Sequence, residues 1–69
     1  MGLKFLPKRL KEAREKLGYS PKDLEKLTGI DAPTIQEFEQ GKCPTNDQIL
    51  RLSRILGQPL WHFFGFDDG

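Results

Sequence analysis

Side chains that build catalytic and metal sites are scarce in this sequence of 69 residues, which has one cysteine and one histidine. The single cysteine, Cys43, excludes an internal disulfide and any site built from several cysteines, and it is typical of a reducing compartment. An inert thiol is favoured over a redox sensor at this position. His62 has no second histidine or neighbouring cysteine, so an ordinary surface or interface histidine is favoured over a metal ligand or catalytic base.

Long apolar runs are also missing. None approaches the roughly 20 residues that span a bilayer, and the apolar stretch in residues 1–7 is too short for a secretory signal. A chain of 69 residues forms one small domain with little room for a deep catalytic pocket. We therefore expect an intracellular protein that is not an enzyme, requires no cofactor, takes no small-molecule substrate and does not enter a membrane.

Alternating polar and apolar residues, which would indicate strands, are absent, and helical spacing runs through the sequence. The first predicted helix extends from about Pro7 to Lys16 and ends at Gly18. Its apolar stripe consists of Leu6, Leu10, Ala13 and Leu17. Charged residues occupy the other face, so this helix is expected to pack one side on a core.

The next segment predicts a second short helix with a clear start and stop. Ser20 is a candidate for the amino-terminal cap, and Pro21 suits the first helical position. Leu24 and Leu27 lie one turn apart on a single face, which predicts that both are buried. Gly29 stands where a left-handed residue would end the helix.

A third helix is predicted directly afterwards, from Ala32 to Gln40, with Ile35 and Phe38 on its inward face. Asp31 is the candidate for its amino-terminal cap. Two short helices joined by a tight glycine turn form the helix-turn-helix unit, whose second helix often enters the major groove of DNA. This arrangement indicates a nucleic-acid partner rather than an enzyme.

Two further helices are predicted in the carboxyl-terminal third. The fourth begins with a capping box of Thr45 and Gln48 and ends at Gly57. Its buried stripe consists of Ile49, Leu52 and Leu56. The fifth is expected to make one or two turns from Pro59 to about Phe64.

The charge is unevenly distributed, although the net charge is only +1. Residues 1–19 carry six basic and two acidic side chains, which gives +4, whereas residues 20–50 carry three lysines and six acidic side chains, which gives −3. DNA-binding surfaces usually have a clear basic excess, because phosphate neutralisation supplies much of the affinity. Here the excess lies on the first helix and the predicted reading helix is acidic, which argues against strong DNA binding.

Together these patterns predict an all-α fold, a compact bundle of five short helices that contains a helix-turn-helix. We expect residues 1–64 to form the domain and residues 65–69 to be a short tail that frays. One contiguous core is predicted from Leu10, Leu24, Leu27, Ile35, Phe38, Ile49, Leu52 and Leu56.

With its helices placed, the sequence resembles the Cro/C1-type helix-turn-helix family, also called the XRE family, over about Leu6 to Phe64. Segments in a characteristic order and spacing carry the resemblance: Arg9–Gly18, Thr28–Ile30, Thr34-Ile35 followed by Phe38–Gly41, and Ile49–Gly57. The ending from Leu56 to Phe64 also resembles the version found in phage-type repressors and ahead of metallopeptidase-linked regulators. The resemblance implies a lambda-repressor-like fold and a DNA-binding function.

In this family the residues that match Arg14 and Glu39 usually form a partly buried ion pair between the first and third helices. The residues agree with that implication. Arg14 lies at the edge of the first apolar stripe, and a carboxylate near a helix carboxyl end, as at Glu39, is unfavourable unless a cation partners it. The alternative is two solvated charges, which would add little stability.

The resemblance also implies which residues read bases. These lie on the first turns of the third helix and are Ala32, Pro33, Gln36 and Glu37. Gln36 would pair with adenine, Glu37 would accept a hydrogen bond from cytosine N4, and Ala32 would touch a thymine methyl group.

Phosphates would be contacted by Lys22 with the amino end of the second helix, by Thr34 and by the loop around Lys42. Three departures from the family lower the expected affinity. Pro21 stands where glutamine is common and has no backbone N–H. Glu25 stands where a small alanine is common, so it must extend outward or find a partner such as a neighbouring lysine. The third departure is the lack of lysine and arginine in the third helix.

The aromatic residues near the carboxyl terminus are the remaining feature. In the family, packing positions correspond to Leu60, Phe63 and Phe64, whereas Trp61 matches a position that is usually polar and exposed. An exposed Trp61 beside Phe66 would form an apolar patch, which makes these two residues a candidate homodimer surface. In the alternative, Trp61 folds back over Phe5 or Leu3.

Two functions from different classes follow. The leading hypothesis is a sequence-specific regulator of transcription, similar to phage and XRE-type repressors, that binds double-stranded DNA with its third helix in the major groove. It would act as a dimer on half-sites about one helical turn apart, in the cytoplasm and associated with the nucleoid. The alternative is a helix-turn-helix domain used for protein interaction, or the amino-terminal part of a larger regulator, with weak or lost DNA binding. A continuous positive stripe of Arg9, Lys22 and Lys42 would favour the first.

Overall fold

In the described part of the chain, four α-helices, a 3-10 helix and a small sheet make up the fold. The computed structural model describes residues 2–66. In chain order the elements are β1 (Leu3–Phe5), α1 (Pro7–Lys16), α2 (Pro21–Thr28), α3 (Ala32–Glu39), α4 (Asn46–Leu56), a 3-10 helix (Leu60–Phe63) and β2 (Phe64–Phe66). The predicted helical bundle with its helix-turn-helix is therefore present, with α2 and α3 as the helix-turn-helix.

The predicted fifth helix is wrong, since the described residues contain four α-helices. The segment Leu60–Phe63 instead forms a 3-10 helix of 4 residues. The His62 amide donates to the Pro59 carbonyl at 2.9 Å, an i to i−3 bond. The segment is too short to close the wider turn of an α-helix more than once, and the chain beyond it turns into a strand.

The expectation of no strands is also wrong. β1 and β2 pair in antiparallel register, with Leu3 opposite Phe66 and Phe5 opposite Phe64. Strands of 3 residues each are too short to show a period in the sequence. The predicted division between domain and tail at residue 64 falls inside β2, and residues 67–69 lie outside the described part of the chain.

Capping fixes the ends of the helices. At the start of α4, the Gln48 backbone N–H donates to Thr45 Oγ1 at 3.2 Å, and the Thr45 backbone N–H donates to Gln48 Oε1 at 2.9 Å. These two bonds form the predicted capping box. Gly29 ends α2 in the left-handed conformation at φ 79°, a conformation that glycine adopts without steric cost. The turn between the two helices of the unit is therefore set locally.

One core lies where the four helices and the 3-10 helix meet. Its buried members are Phe5, Leu10, Ala13, Leu24, Ile30, Ile35, Phe38, Ile49, Leu52, Leu56 and Phe63. Seven of the eight predicted core residues are among them. The core also includes Phe5 from β1 and Phe63 from the 3-10 helix, so both ends of the described chain are attached to it.

The predicted burial of Leu27 is wrong, because this side chain is 49% exposed. The residue at the next position, Thr28, turns inward instead and is buried. Its hydroxyl donates to the Leu24 carbonyl at 2.6 Å, so a polar group occupies the core face without an unpaired donor. Leu27 lies in a shallow surface groove with Leu17 and Tyr19, and Leu17 is itself exposed although it was assigned to the first apolar stripe.

An ion pair between Arg14 and Glu39 joins α1 to the carboxyl end of α3. Arg14 Nε lies 2.7 Å from Glu39 Oε2 and Arg14 Nη2 lies 3.0 Å from Glu39 Oε1, which makes the pair bidentate. The two side chains are only 11% and 9% exposed. A third bond, from Arg14 Nη1 to the Tyr19 carbonyl at 2.8 Å, ties the α1–α2 turn to the same guanidinium. The hydrogen bonds to Glu39 raise the pKa of Arg14 above its ordinary value.

Leu52→Ala tests the core. Leu52 is fully buried, so the substitution is expected to lower the free energy of unfolding by about 2–5 kcal/mol through lost burial and a residual cavity. Urea denaturation followed by circular dichroism measures the change. Leu50→Ala is the control, since Leu50 lies on the same helix but is exposed. Equal unfolding free energies for the two variants would contradict the assignment.

Glu39→Ala tests the ion pair. The substitution leaves a largely buried guanidinium without its partner, at a cost on the order of 3 kcal/mol in unfolding free energy. Glu37→Ala is the matched control, because Glu37 is exposed and lies 3.8 Å from Lys42, a pair expected to contribute less than about 1 kcal/mol. In a double-mutant cycle, Arg14→Ala with Glu39→Ala should cost less than the sum of the single changes. Additive costs would show that the pair is not coupled.

Candidate nucleic-acid interface

One face of α3 is exposed and polar, and this face is the candidate reading surface. It consists of Pro33, Gln36 and Glu37 together with Gln40, the residue at the carboxyl-terminal cap of α3, and all four are exposed. Their spacing of i, i+3, i+4 and i+7 puts them on a single stripe of the helix. The opposite face carries Ile35 and Phe38, which are in the core. The helix therefore presents three hydrogen-bonding side chains outward on a backbone that its core side holds in position.

The prediction that Ala32 reads a base does not fit its position, because Ala32 is only 5% exposed. The first residue of α3 faces α2, where the tight turn at Gly29 brings the two helices together. A methyl group buried between helices is out of reach of a thymine. The reading surface therefore starts at Pro33.

Glu25 on α2 caps α3. Its Oε2 accepts a hydrogen bond from the Ala32 amide at 3.1 Å, so its partner is a backbone group rather than a neighbouring lysine. Asp31 occupies the capping position, but its side chain makes no capping hydrogen bond. A carboxylate at the positive end of a helix is favourable. The glutamate that departs from the family pattern thus holds the two helices of the unit together.

The amino end of α2 has few free donors for a phosphate. The Ser20 amide donates to Asp23 Oδ2 at 2.9 Å, and the Asp23 amide donates to Ser20 Oγ at 3.1 Å. Pro21 has no N–H. Among the first-turn amides of α2, the Lys22 N–H is thus the one left for an external anion. Hydrogen bonds from Ser20 lower the pKa of Asp23, so a negative charge stays at this end of the helix near neutral pH.

The three predicted phosphate-contacting residues differ in their exposure to solvent. Lys22 and Lys42 are exposed, whereas Thr34 is half-buried. The ammonium of Lys42 lies 3.8 Å from Glu37 Oε1, and both side chains are more than half exposed. A pair at that distance in water is weak, so Lys42 can exchange Glu37 for a phosphate.

Two features of this interface are not among the sequence predictions, namely the outward position of Gln40 and the capping role of Glu25. The sequence predicts Gln40 only as the last residue of the third helix, although its spacing of seven from Pro33 continues the exposed stripe. That spacing was the available signal. The capping role of Glu25 had no local signal, because the donor to its carboxylate, the Ala32 backbone amide, is seven residues away and is brought close by the turn.

A second exposed surface is apolar. A groove of about 700 Å³ is lined by Leu3, Asn46, Leu60, Trp61, Phe64 and Phe66. Trp61 is 71% exposed and Phe66 is 74% exposed. Trp61 therefore does not fold back into the core. Leu60, assigned to a packing position, is also exposed at the rim, because the 3-10 helix directs Phe63 rather than Leu60 inward.

Neither a metal-binding cluster nor a membrane-spanning helix occurs within residues 2–66. None of their histidine, cysteine, aspartate and glutamate side chains gathers in a group of three that would hold a metal ion. None of their helices combines the length and hydropathy required to cross a bilayer.

Residues 10–60 match the sequence profile of a family described as helix-turn-helix. The regulator ImmR of Bacillus subtilis strain 168 is 33% identical over 64 residues, which cover 91% of this chain and 50% of ImmR. An uncharacterised HTH-type transcriptional regulator of Haemophilus influenzae is 39% identical over 56 residues, covering 80% of this chain and 57% of the regulator. A putative HTH-type transcriptional regulatory protein of Pyrococcus furiosus is 38% identical over 53 residues, covering 75% of this chain and 17% of that protein.

Solved structures give the same fold. A crystal structure of HppE with Fe(II) and substrate has a TM-score of 0.77 and 26% identity, covering 91% of this chain and 39% of the HppE chain. The Co(II) form with substrate matches equally well. This chain spans a sixth to just over half of the three relatives' lengths, and it corresponds to one part of HppE. From the matched residues, the α2–α3 unit and these relatives, the chain belongs to the Cro/C1-type, or XRE, helix-turn-helix family of DNA-binding domains.

Proposed function

We propose that this chain binds double-stranded DNA sequence-specifically and regulates transcription, with α3 in the major groove. The observation that carries the proposal is the exposed stripe of α3, in which Gln36, Glu37 and Gln40 are hydrogen-bonding side chains on one face. Amide side chains pair with adenine and a glutamate accepts from cytosine N4. Regulation by repression, in a cytoplasm where the protein associates with the nucleoid, is part of the same proposal.

Rigidity supports a reading role for α3. Glu39 is held by Arg14 at the carboxyl end of the helix, and Ala32 is held by Glu25 at the amino end. Because both ends of α3 are fixed, its side chains can contact base edges without a further loss of backbone conformational entropy on binding. Base contacts on such a helix give specificity, and the phosphate contacts of Lys22, Thr34 and Lys42 would supply affinity.

A homodimer is the second part of the proposal. Trp61 and Phe66 flank an apolar groove, and a second copy of this chain would cover both. Burying two aromatic side chains per protomer contributes several kcal/mol before the cost of association. The lining of this groove includes no residue of α3, so a dimer formed there would leave both reading helices free for two half-sites.

A protein-interaction module remains the second candidate function. Two observations favour it, namely the apolar groove beside Trp61 and the amino end of α2, where Asp23 and Pro21 leave one free amide. In that case the chain would act as one part of a larger regulator, and its contact with DNA would be weak.

Binding to DNA is tested by titration of the protein against a selected duplex and a scrambled duplex at several salt concentrations. A preference for the selected duplex and a negative slope of log affinity against log salt are expected. Gln36→Ala should weaken binding to the selected duplex by about 1–3 kcal/mol and relax the preference at one base pair. Lack of any preference in the wild type would favour the protein-interaction module.

Trp61→Ala tests the dimer. Loss of the largest exposed apolar side chain should shift a dimer toward monomer in sedimentation equilibrium, while far-ultraviolet circular dichroism stays unchanged. Leu17→Ala is the control, because Leu17 is an exposed apolar residue outside the groove. If wild type and Trp61→Ala are equally monomeric at high concentration, the aromatic groove is not a dimer surface.

A further inference from the structure

We propose that the amino-terminal segment forms a second DNA-backbone contact, in which Lys4 and Lys8 bind phosphate beside the carboxyl end of α3. The inference rests on the proposed DNA-binding function and adds to it a surface outside the helix-turn-helix. It concerns a groove of about 510 Å³ between the start of the chain and the end of α3.

Two separate parts of the chain line this groove. One side is the segment from Lys4 to Lys8, which includes the end of β1 and the start of α1. The other side is Glu39, Gln40 and Gly41. The β1–β2 pairing holds Lys4 at this place, since Lys4 lies opposite Gly65 in the sheet. The sheet therefore directs a lysine toward the reading helix.

The groove is basic because the carboxylate in its lining is already neutralised by an ion pair. The acidic side chain in its lining is Glu39, and both of its oxygens accept hydrogen bonds from Arg14. Neither Lys4 nor Lys8 forms an ion pair with any carboxylate in residues 2–66. The first turn of α1 contains no acidic residue. Within the described residues, two positive charges are thus left for an external anion.

The groove is continuous with the reading surface. Gln40 belongs both to the exposed stripe of α3 and to the lining of the groove. An eight-residue helix is about 12 Å long, close to the ~12 Å width of the major groove. When Gln36 and Glu37 meet base edges, the carboxyl end of α3 therefore lies near a phosphate wall. Lys4 and Lys8 flank that end.

The surface also accounts for the uneven charge of the sequence. The α2–α3 region is acidic, whereas residues 1–19 carry a charge of +4. Because affinity for DNA scales with the number of neutralised phosphates, a domain with an acidic reading helix must supply cations from neighbouring elements. Duplex DNA, with a phosphate on each strand at every step, fits two lysines that form no ion pair within residues 2–66 and lie next to a reading helix.

The test measures how binding to one selected duplex and one scrambled duplex depends on salt. Three proteins are compared: the wild type, the test variant Lys4→Ala/Lys8→Ala and the control variant Lys16→Ala/Lys26→Ala. The control removes two exposed lysines beside the α1–α2 turn, on grooves lined by other residues, and changes the net charge equally. Circular dichroism monitors folding. Lys4→Gln/Lys8→Gln, which keeps side-chain bulk, replaces the alanine variant if that variant does not fold.

Removal of two phosphate contacts is expected to make the slope of log affinity against log salt shallower by about 1.8. Binding should weaken on both duplexes alike, so that the preference for the selected duplex is kept. The control should retain the wild-type slope. Equal slopes for Lys4→Ala/Lys8→Ala and the control, with a wild type that binds selectively, would overturn this inference alone. A wild type that shows neither selectivity nor a salt slope would overturn the proposed function and this inference together.

Discussion

The ion pair between Arg14 and Glu39 determines where α3 lies relative to the rest of the domain. Its two charges are largely removed from water, so the pair is stable only while both side chains keep their bidentate geometry. The same guanidinium bonds the Tyr19 carbonyl, which links the start of the helix-turn-helix to the end of its second helix. Glu25 adds a bond at the amino end of α3. A helix of 8 residues would be marginal alone, and these contacts with its core side make it a fixed surface.

The same carboxylates that order the helix-turn-helix limit its attraction for DNA. Asp23 and Glu25 occupy amides at the starts of α2 and α3 where a phosphate would otherwise be bound. The hydrogen bonds that stabilise the helix-turn-helix therefore lower its electrostatic affinity for DNA. We propose that basic side chains outside the helix-turn-helix compensate for this loss of affinity. They lie in the amino-terminal segment and in the loop after α3. Under this proposal, base contacts by α3 would set the sequence preference, while contacts of the flanking lysines would set the affinity and its salt dependence.

Much of this fold is predictable from local signals. The capping box of Thr45 and Gln48, the glycine turn at Gly29 and the spacing of apolar residues all specify structure within a few residues of chain. The errors arise where distant residues decide. β1 and β2 form because two segments about sixty residues apart meet beside the core, and Ala32 is buried because α2 packs on it. In the candidate interface, the outward side of α3 is predictable from the spacing of its residues. The groove of Lys4 and Lys8 is not, because its two sides come from residues about thirty-five positions apart along the chain and no periodic pattern indicates that they meet.

The central claim is that the exposed face of α3 contacts DNA. Nitrogen-15 amide spectra recorded during titration with a selected duplex test it most directly. The largest shift changes are expected on Thr34 to Lys42 and at Lys8, with little change at Trp61 and Phe66. A titration whose largest changes fall on the 3-10 helix and β2, with α3 unaffected, would contradict the account, because the aromatic groove rather than the reading helix would then be the contact surface.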